Sequence, residues 1–179
     1  MQFILALVFL LNLTLVSSFS FHGATSPLGV FDPFKFQEKN SIETLARFRE
    51  AELKHGRWGM ISAASIPLIE SKTHMPAIHE FDHLSDNVKL LIVGSILVGE
   101  FGTMLRGWEN PFENGTSNYF KLKREYQPGD WGFATSNPDD VMMANKELNN
   151  GRLAMIASLG MIAQELVTDK PLFLTNTFY

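Results

Sequence analysis

The chain is 179 residues long, 45% hydrophobic and 19% charged, with a formal net charge of -4. That length suits one compact domain, and an acidic balance with no basic stretch interleaved with aromatics excludes a general nucleic-acid binder. The absence of cysteine excludes a disulfide framework, a thiolate zinc site and an iron–sulfur cluster.

Residues 1–18, MQFILALVFLLNLTLVSS, form an apolar run ending in small residues. Val16 and Ser18 stand where a signal peptidase reads, so residues 1–18 are expected to be a signal peptide removed before Phe19. An uncleaved anchor is the alternative, although the run is short for a span. Residues 19–40 are rich in Gly, Pro, Ser and Phe and read as a short transit segment and an irregular arm. Pro27, Gly29 and Pro33 bar a regular helix over 26–36. The main domain is expected over residues 41–179. Ser41 followed by Ile42, Glu43 and Thr44 resembles a helix cap with an acidic first turn, predicting a first helix over 41–69 with Pro67 near its end. Residues 71–86 read as a loop carrying His74, His79, His83 and several acids. A second apolar helix is predicted over 88–105, interrupted by Lys89 and Glu100. Residues 107–141 read as a polar connection broken by Pro111, Gly115, Pro128-Gly129 and Pro138. A third helix is predicted over 142–167, closed by Pro171.

Three helices near the length a bilayer needs predict an all-α membrane protein with three transmembrane helices. Lys35, Lys39, Arg47 and Arg49 lie before the first span, and Arg106, Lys121, Lys123 and Arg124 follow the second, while the intervening loop is acidic apart from Lys72. The basic side is cytoplasm-equivalent, and the first and third helices then run in the same direction.

Those two helices repeat one another. ELKHGRWGMISA (residues 52–63) and ELNNGRLAMIAS (residues 147–158) agree at six of twelve positions with an offset of 95. Such repetition predicts two crossed helices related by a pseudo-two-fold axis along the membrane normal. Ionisable groups inside apolar helices are costly and mark function by default. Arg57 lies about 140° around and ~7.5 Å along the helix from Glu52, too far for a good pair, and Arg152 stands in the same relation to Glu147. The expected solution is reciprocal, Glu52 with Arg152 and Glu147 with Arg57, each pair neutral overall. Gly56, Gly59 and Ala63 on one helix and Gly151, Ala154 and Ser158 on the other permit a close crossing. A paired carboxylate keeps a spare lone pair, Asn150 and Gln164 offer amide oxygens and His55 an imidazole nitrogen. These suit single axial ligation of a magnesium ion whose other positions are filled; the alternative is that the ion pairs only fasten the helices.

ELKHGRWGM and ELNNGRLAMIA resemble the first and third membrane helices of the light-harvesting chlorophyll-binding superfamily, in which E-x-x-[HN]-x-R precedes an apolar pair. AELKHGR and GMIAQELVT are most similar to the fucoxanthin chlorophyll a/c-binding proteins. The resemblance implies that Glu52, His55, Glu147, Asn150 and Gln164 ligate chlorophyll magnesium, with Glu100 in VGEFGTMLR as the acidic ligand of the middle helix. It also implies an Asp32-Pro33 turn bordering a carotenoid. Two departures stand out: Ile92 occupies a place where the family often has glutamine, and Ala134 replaces the usual aspartate before the third helix. No metal beyond chlorophyll magnesium is implied. The cofactors implied are chlorophyll a, chlorophyll c and a carotenoid such as fucoxanthin or a related xanthophyll. The partners implied are these pigments, other antenna subunits, a photosystem core and thylakoid lipids. The resemblance predicts a non-enzymatic antenna protein of the thylakoid membrane, and with the leader it implies a secondary, red-lineage plastid. A photoprotective, energy-dissipating member of the same family is the alternative. From another class, a membrane di-iron carboxylate enzyme fits Glu52-x-x-His55 but lacks further carboxylates, and three helices leave little room for a transporter pathway.

Overall fold

A computed structural model describes residue 29 and residues 32–112, 119–132 and 139–172. The leader expected over 1–18, most of the expected arm, and Ala134 lie outside the described residues. Among the described residues five helices follow in order: α1 (Phe36–Lys39), α2 (Ile42–Thr73), α3 (Ala77–His83), α4 (Asp86–Gly107) and α5 (Asp139–Thr168). The helices are the regular elements of the described residues, and Trp108 and Leu122 form an isolated antiparallel bridge.

Helix α2 starts where its cap predicts: the Ser41 hydroxyl accepts from the Thr44 amide at 3.3 Å, satisfying one of the orphan N–H groups of the first turn. It ends at His74, which takes a left-handed conformation (φ 57°) and donates its amide to the Glu70 carbonyl at 2.9 Å, a common way to stop a helix. The helix runs past residue 69 and carries Pro67 inside it. α5 begins at Asp139, three residues ahead of the expected start, and closes at Asp169 (φ 52°), whose amide reaches the Glu165 carbonyl at 2.8 Å. At 32 and 30 residues, α2 and α5 are each roughly 45–48 Å long at 1.5 Å per residue.

The two long helices meet at glycine. A Cβ on Gly56 would sit 3.1 Å from the Gly151 Cα, and one on Gly151 only 2.9 Å from the Gly56 Cα. Beyond this point the Ser158 hydroxyl lies 2.9 Å from the Gly59 carbonyl and 2.6 Å from that of Ala154, so it tethers the crossing. Hydrophobic burial contributes little here. Among the described residues Ile66 and Leu148 are the buried hydrophobic side chains, whereas Glu50, Glu70 and Glu165 are 3%, 3% and 0% exposed. Large apolar side chains such as Leu90, Leu91, Val98, Leu153, Ile156 and Leu159 point outward. An apolar exterior of this extent needs a non-aqueous partner.

α4 is, among the described helices, the one both long and apolar enough to cross a membrane by composition. It stands apart: a Cβ built on Gly94, Gly99 or Gly102 would meet nothing within 4 Å. Its C-terminal end is tied down by the returning chain, with Glu109 N to Lys121 O and Lys123 N to Gly107 O both at 2.9 Å, and Lys123 Nζ donating to the Leu105 carbonyl at 2.9 Å.

The expected loop over 71–86 contains α3, a correction whose reason is local. Seven residues are too few to show a helical period. What holds α3 is tertiary: Ile78 N donates to Glu165 Oε2 at 3.0 Å, and His79 Nε2 meets Asp169 Oδ1 at 2.9 Å. The short α1 likewise interrupts an arm expected to be irregular. Asp32 holds it, accepting from Phe36 N at 2.9 Å and Gln37 N at 2.8 Å.

Candidate functional site

The repeat brings its four charged residues together across the crossing. Arg57 Nε lies 2.6 Å from Glu147 Oε1, and Arg152 Nε lies 2.7 Å from Glu52 Oε1. A five-residue spacing prevents pairing within a helix, and the glycine contact brings the backbones close enough for pairing between helices. The two pairs are not equivalent. Glu52 receives a second guanidinium, Arg49, at 2.8 Å on Oε2. Arg57 instead donates to the Gly129 carbonyl at 2.7 Å and lies over the Trp131 ring at 5.6 Å.

Three residues past each glutamate, His55 and Asn150 are exposed on the outer surface of the crossing. His55 Nδ1 lies 2.7 Å from the Ala51 carbonyl. A carbonyl only accepts, so Nδ1 carries the proton and Nε2 keeps its lone pair for a ligand. Gln164 is exposed as well, 14 residues beyond Asn150 on α5, about 21 Å along and nearly the same angular position. The crossing does not include Gln164, nor Glu100, which lies on α4. Asp32 and Pro33 lie in the turn ahead of α1. There the Gln37 and Phe36 amides hold the Asp32 carboxyl below its ordinary range.

Several polar residues of this region escaped the sequence reading. Lys54 bridges from α2 to α4, donating to Glu100 Oε2 at 2.6 Å and Thr103 Oγ1 at 3.0 Å. Its signal was a difference between the copies, Lys54 against Asn149. Glu50 is buried and accepts from the Tyr126 hydroxyl at 3.0 Å and the Gly129 amide at 2.7 Å, which latches the connecting segment onto α2. Burial, then the Glu50 charge, pushes the Tyr126 phenol well above its ordinary range. Gly129 has φ +83°, and a Cβ there would collide with Leu53, so the Pro128-Gly129 turn needs its glycine. Glu70 and Glu165 also share the 95-residue offset and come face to face where α3 docks. Leu172 N donates to Glu70 Oε2 at 2.9 Å. The offset extends the repeat eighteen residues past Glu52 and Glu147; only the sparseness of matches between hid it.

The donor set fits axial ligation of a magnesium-centred macrocycle: single oxygen or nitrogen donors, outward-facing, with the carboxylates already neutralised by a cation. Among the described residues no group of three or more His, Cys, Asp or Glu is placed to hold a metal ion.

A family model described as chlorophyll A-B binding protein matches residues 20–166. The chain is 36% identical over 170 residues to light-harvesting complex stress-related protein 3.2, chloroplastic, of Chlamydomonas reinhardtii, covering 84% of this chain and 64% of that protein. It is 35% identical over 161 residues to a fucoxanthin-chlorophyll a-c binding protein, chloroplastic, of Isochrysis galbana, covering 82% and 76%. It is 30% identical over 156 residues to chlorophyll a-b binding protein P4, chloroplastic, of Pisum sativum, covering 78% and 60%. The chain thus spans just under two thirds of the stress-related relative's length.

Proposed function

The chain belongs to the chlorophyll A-B binding protein family, and on that footing we propose that it is a thylakoid antenna protein that binds chlorophylls and carotenoids and passes excitation energy to a photosystem. The observation that carries this reading is the reciprocal pairing of Glu52 with Arg152 and Glu147 with Arg57, each flanked by an exposed donor one turn on. Bound pigments supply absorption and energy transfer; the polypeptide sets their spacing and orientation. Glu52, His55, Glu147, Asn150, Gln164 and Glu100 are the proposed magnesium ligands, and Asp32 and Pro33 the proposed carotenoid turn. Each crossing carboxylate comes with its cation, so its net charge is already balanced when it faces an apolar ligand.

In this reading α2, α4 and α5 are three spans, with α2 and α5 related by a pseudo-two-fold axis along the membrane normal. The outward apolar side chains then meet lipid and pigment. Chlorophyll a, chlorophyll c and a fucoxanthin-like xanthophyll are the proposed cofactors, supported by the likeness to the Isochrysis protein. The proposed setting is the thylakoid of a secondary red-lineage plastid, beside other antenna subunits and a photosystem core. The family is a pigment-binding one and not an enzyme class, and we assign no catalysis. The test is the absorption of the purified protein with pigment extraction; a polypeptide without chlorophyll bands would overturn the reading. The alternative is a photoprotective, dissipative member of the same family, to which the likeness to stress-related proteins draws attention without selecting it. A short fluorescence lifetime in the isolated complex would select it.

A further inference from the structure

Glu100 differs from the crossing glutamates in having no arginine partner; its cation is Lys54, reaching from another helix. The Lys54 ammonium has three oxygens around it: Glu100 Oε2 at 2.6 Å, Thr103 Oγ1 at 3.0 Å and Glu50 Oε1 at 4.0 Å. Thr103 is buried, and its hydroxyl donates to the Glu100 carbonyl at 2.9 Å, which leaves an oxygen lone pair turned to the lysine. Among the described residues the other carboxylate oxygen, Oε1, is approached by the Trp58 indole N–H at 3.5 Å, a long and weak contact. The Glu100 side chain is 43% exposed. One oxygen is thus neutralised and the other faces outward, on a helix where Gly94, Gly99 and Gly102 have open space around them.

We propose that Lys54 is the positioning residue of the Glu100 site: it supplies from α2 the counter-charge that lets Glu100 on α4 ligate a chlorophyll magnesium through Oε1, and so couples pigment binding to the docking of α4. This rests on the reading of Glu100 as a ligand. The physical reason is charge. A chlorophyll magnesium is already balanced by its macrocycle, so a bare carboxylate ligand would bring an uncompensated charge into an apolar setting. Both crossing glutamates avoid that with a guanidinium from the other helix. Lys54 performs the same task for the third carboxylate, and the other copy of the repeat, with Asn149 at the matching place, has no such lysine.

The test reconstitutes the full chain with chlorophyll and carotenoid, and reads chlorophyll per polypeptide together with hydrogen exchange of the α4 amides. Glu100→Leu is expected to lose one chlorophyll. Lys54→Met is expected to lose the same one and to exchange at least tenfold faster around residue 100. The double variant Lys54→Met with Glu100→Gln is expected to regain it, because an amide oxygen ligates without needing a counter-ion; it leaves Glu50 short of Lys54 all the same, so recovery assigns the effect to Glu100. If Lys54→Met fails to assemble at all, recovery in the double variant still supports the proposal and continued failure overturns it. Full pigment in Lys54→Met beside loss in Glu100→Leu overturns the lysine's role alone. Full pigment in Glu100→Leu overturns the ligand reading and the proposal with it.

Discussion

Arg57 and Arg152 look interchangeable in the repeat, but their surroundings make them unequal. Glu52 keeps Arg49 at 2.8 Å when Arg152 is removed. Removal of Arg57 takes from Glu147 its 2.6 Å partner, from Gly129 a hydrogen bond, and from Trp131 a cation. Arg152→Leu should therefore cost less than the full penalty of an unpaired buried carboxylate, because Glu52 retains a cation. Arg57→Leu should approach the ~3–5 kcal/mol of a broken buried pair. Thermal melts of reconstituted complexes check the order, and equal melting points would show that Arg49 gives no cover. His55→Leu and Asn150→Leu belong to neither pair. Each should lose about one chlorophyll while far-UV circular dichroism stays unchanged, and retention of full pigment would remove that residue from the ligand set. Asp32 provides a pH prediction. Its folded value lies below its ordinary 3.8, so the folded state prefers the carboxylate. The α1 cap is then intact above the unfolded value and is lost as pH falls through the lower folded one. Protection of the Phe36 and Gln37 amides, taken relative to the intrinsic exchange rate at each pH, should fall only in that acid window, and in Asp32→Ala it should be low at every pH.

Among the helices, the α2–α5 crossing depends on the absence of two side chains. A methyl group on Gly151 has 2.9 Å to the Gly56 Cα, a backbone atom that cannot turn aside. Gly151→Ala should force the helices apart and cost roughly 1–3 kcal/mol, the usual penalty for overpacking. It should also lengthen both ion pairs, so its effect and that of Arg57→Leu should add to less than their sum. A double-mutant cycle on melting temperature measures this; strict additivity would mean that the crossing distance does not govern the pairs. The sequence repeat predicted this crossing through its small residues and its five-residue Glu-to-Arg spacing. It did not predict α3, because nothing in seven residues with three titratable types stands out until Glu165 of α5 and Asp169 just past its end are brought beneath them.

At the scale of the whole molecule, the proposed three spans place the α2–α4 link and the α4–α5 connection on opposite sides of the bilayer. The chain has no cysteine, so single variants Lys72→Cys and Arg124→Cys report sidedness directly. In sealed thylakoid vesicles an impermeant maleimide should label one and not the other until the membrane is opened; equal labelling from one side would break the topology. The helical character, the repeat and the partners of its charges were legible in the sequence, because a period and an offset are properties of the chain alone. Burial was not. In the fold many large apolar side chains lie outside, as spans require, but Glu50, Glu70 and Glu165 lie within, and no pattern in the sequence marks those three as buried. Composition reveals how much apolar surface exists, and only the tertiary arrangement decides which way it faces. Likewise Lys54 and Glu100, 46 residues apart, carry no mark of each other in the sequence. Their 2.6 Å contact joins side chains of two different helices, so it exists only once the fold has set α4 within reach of the long Lys54 side chain on α2.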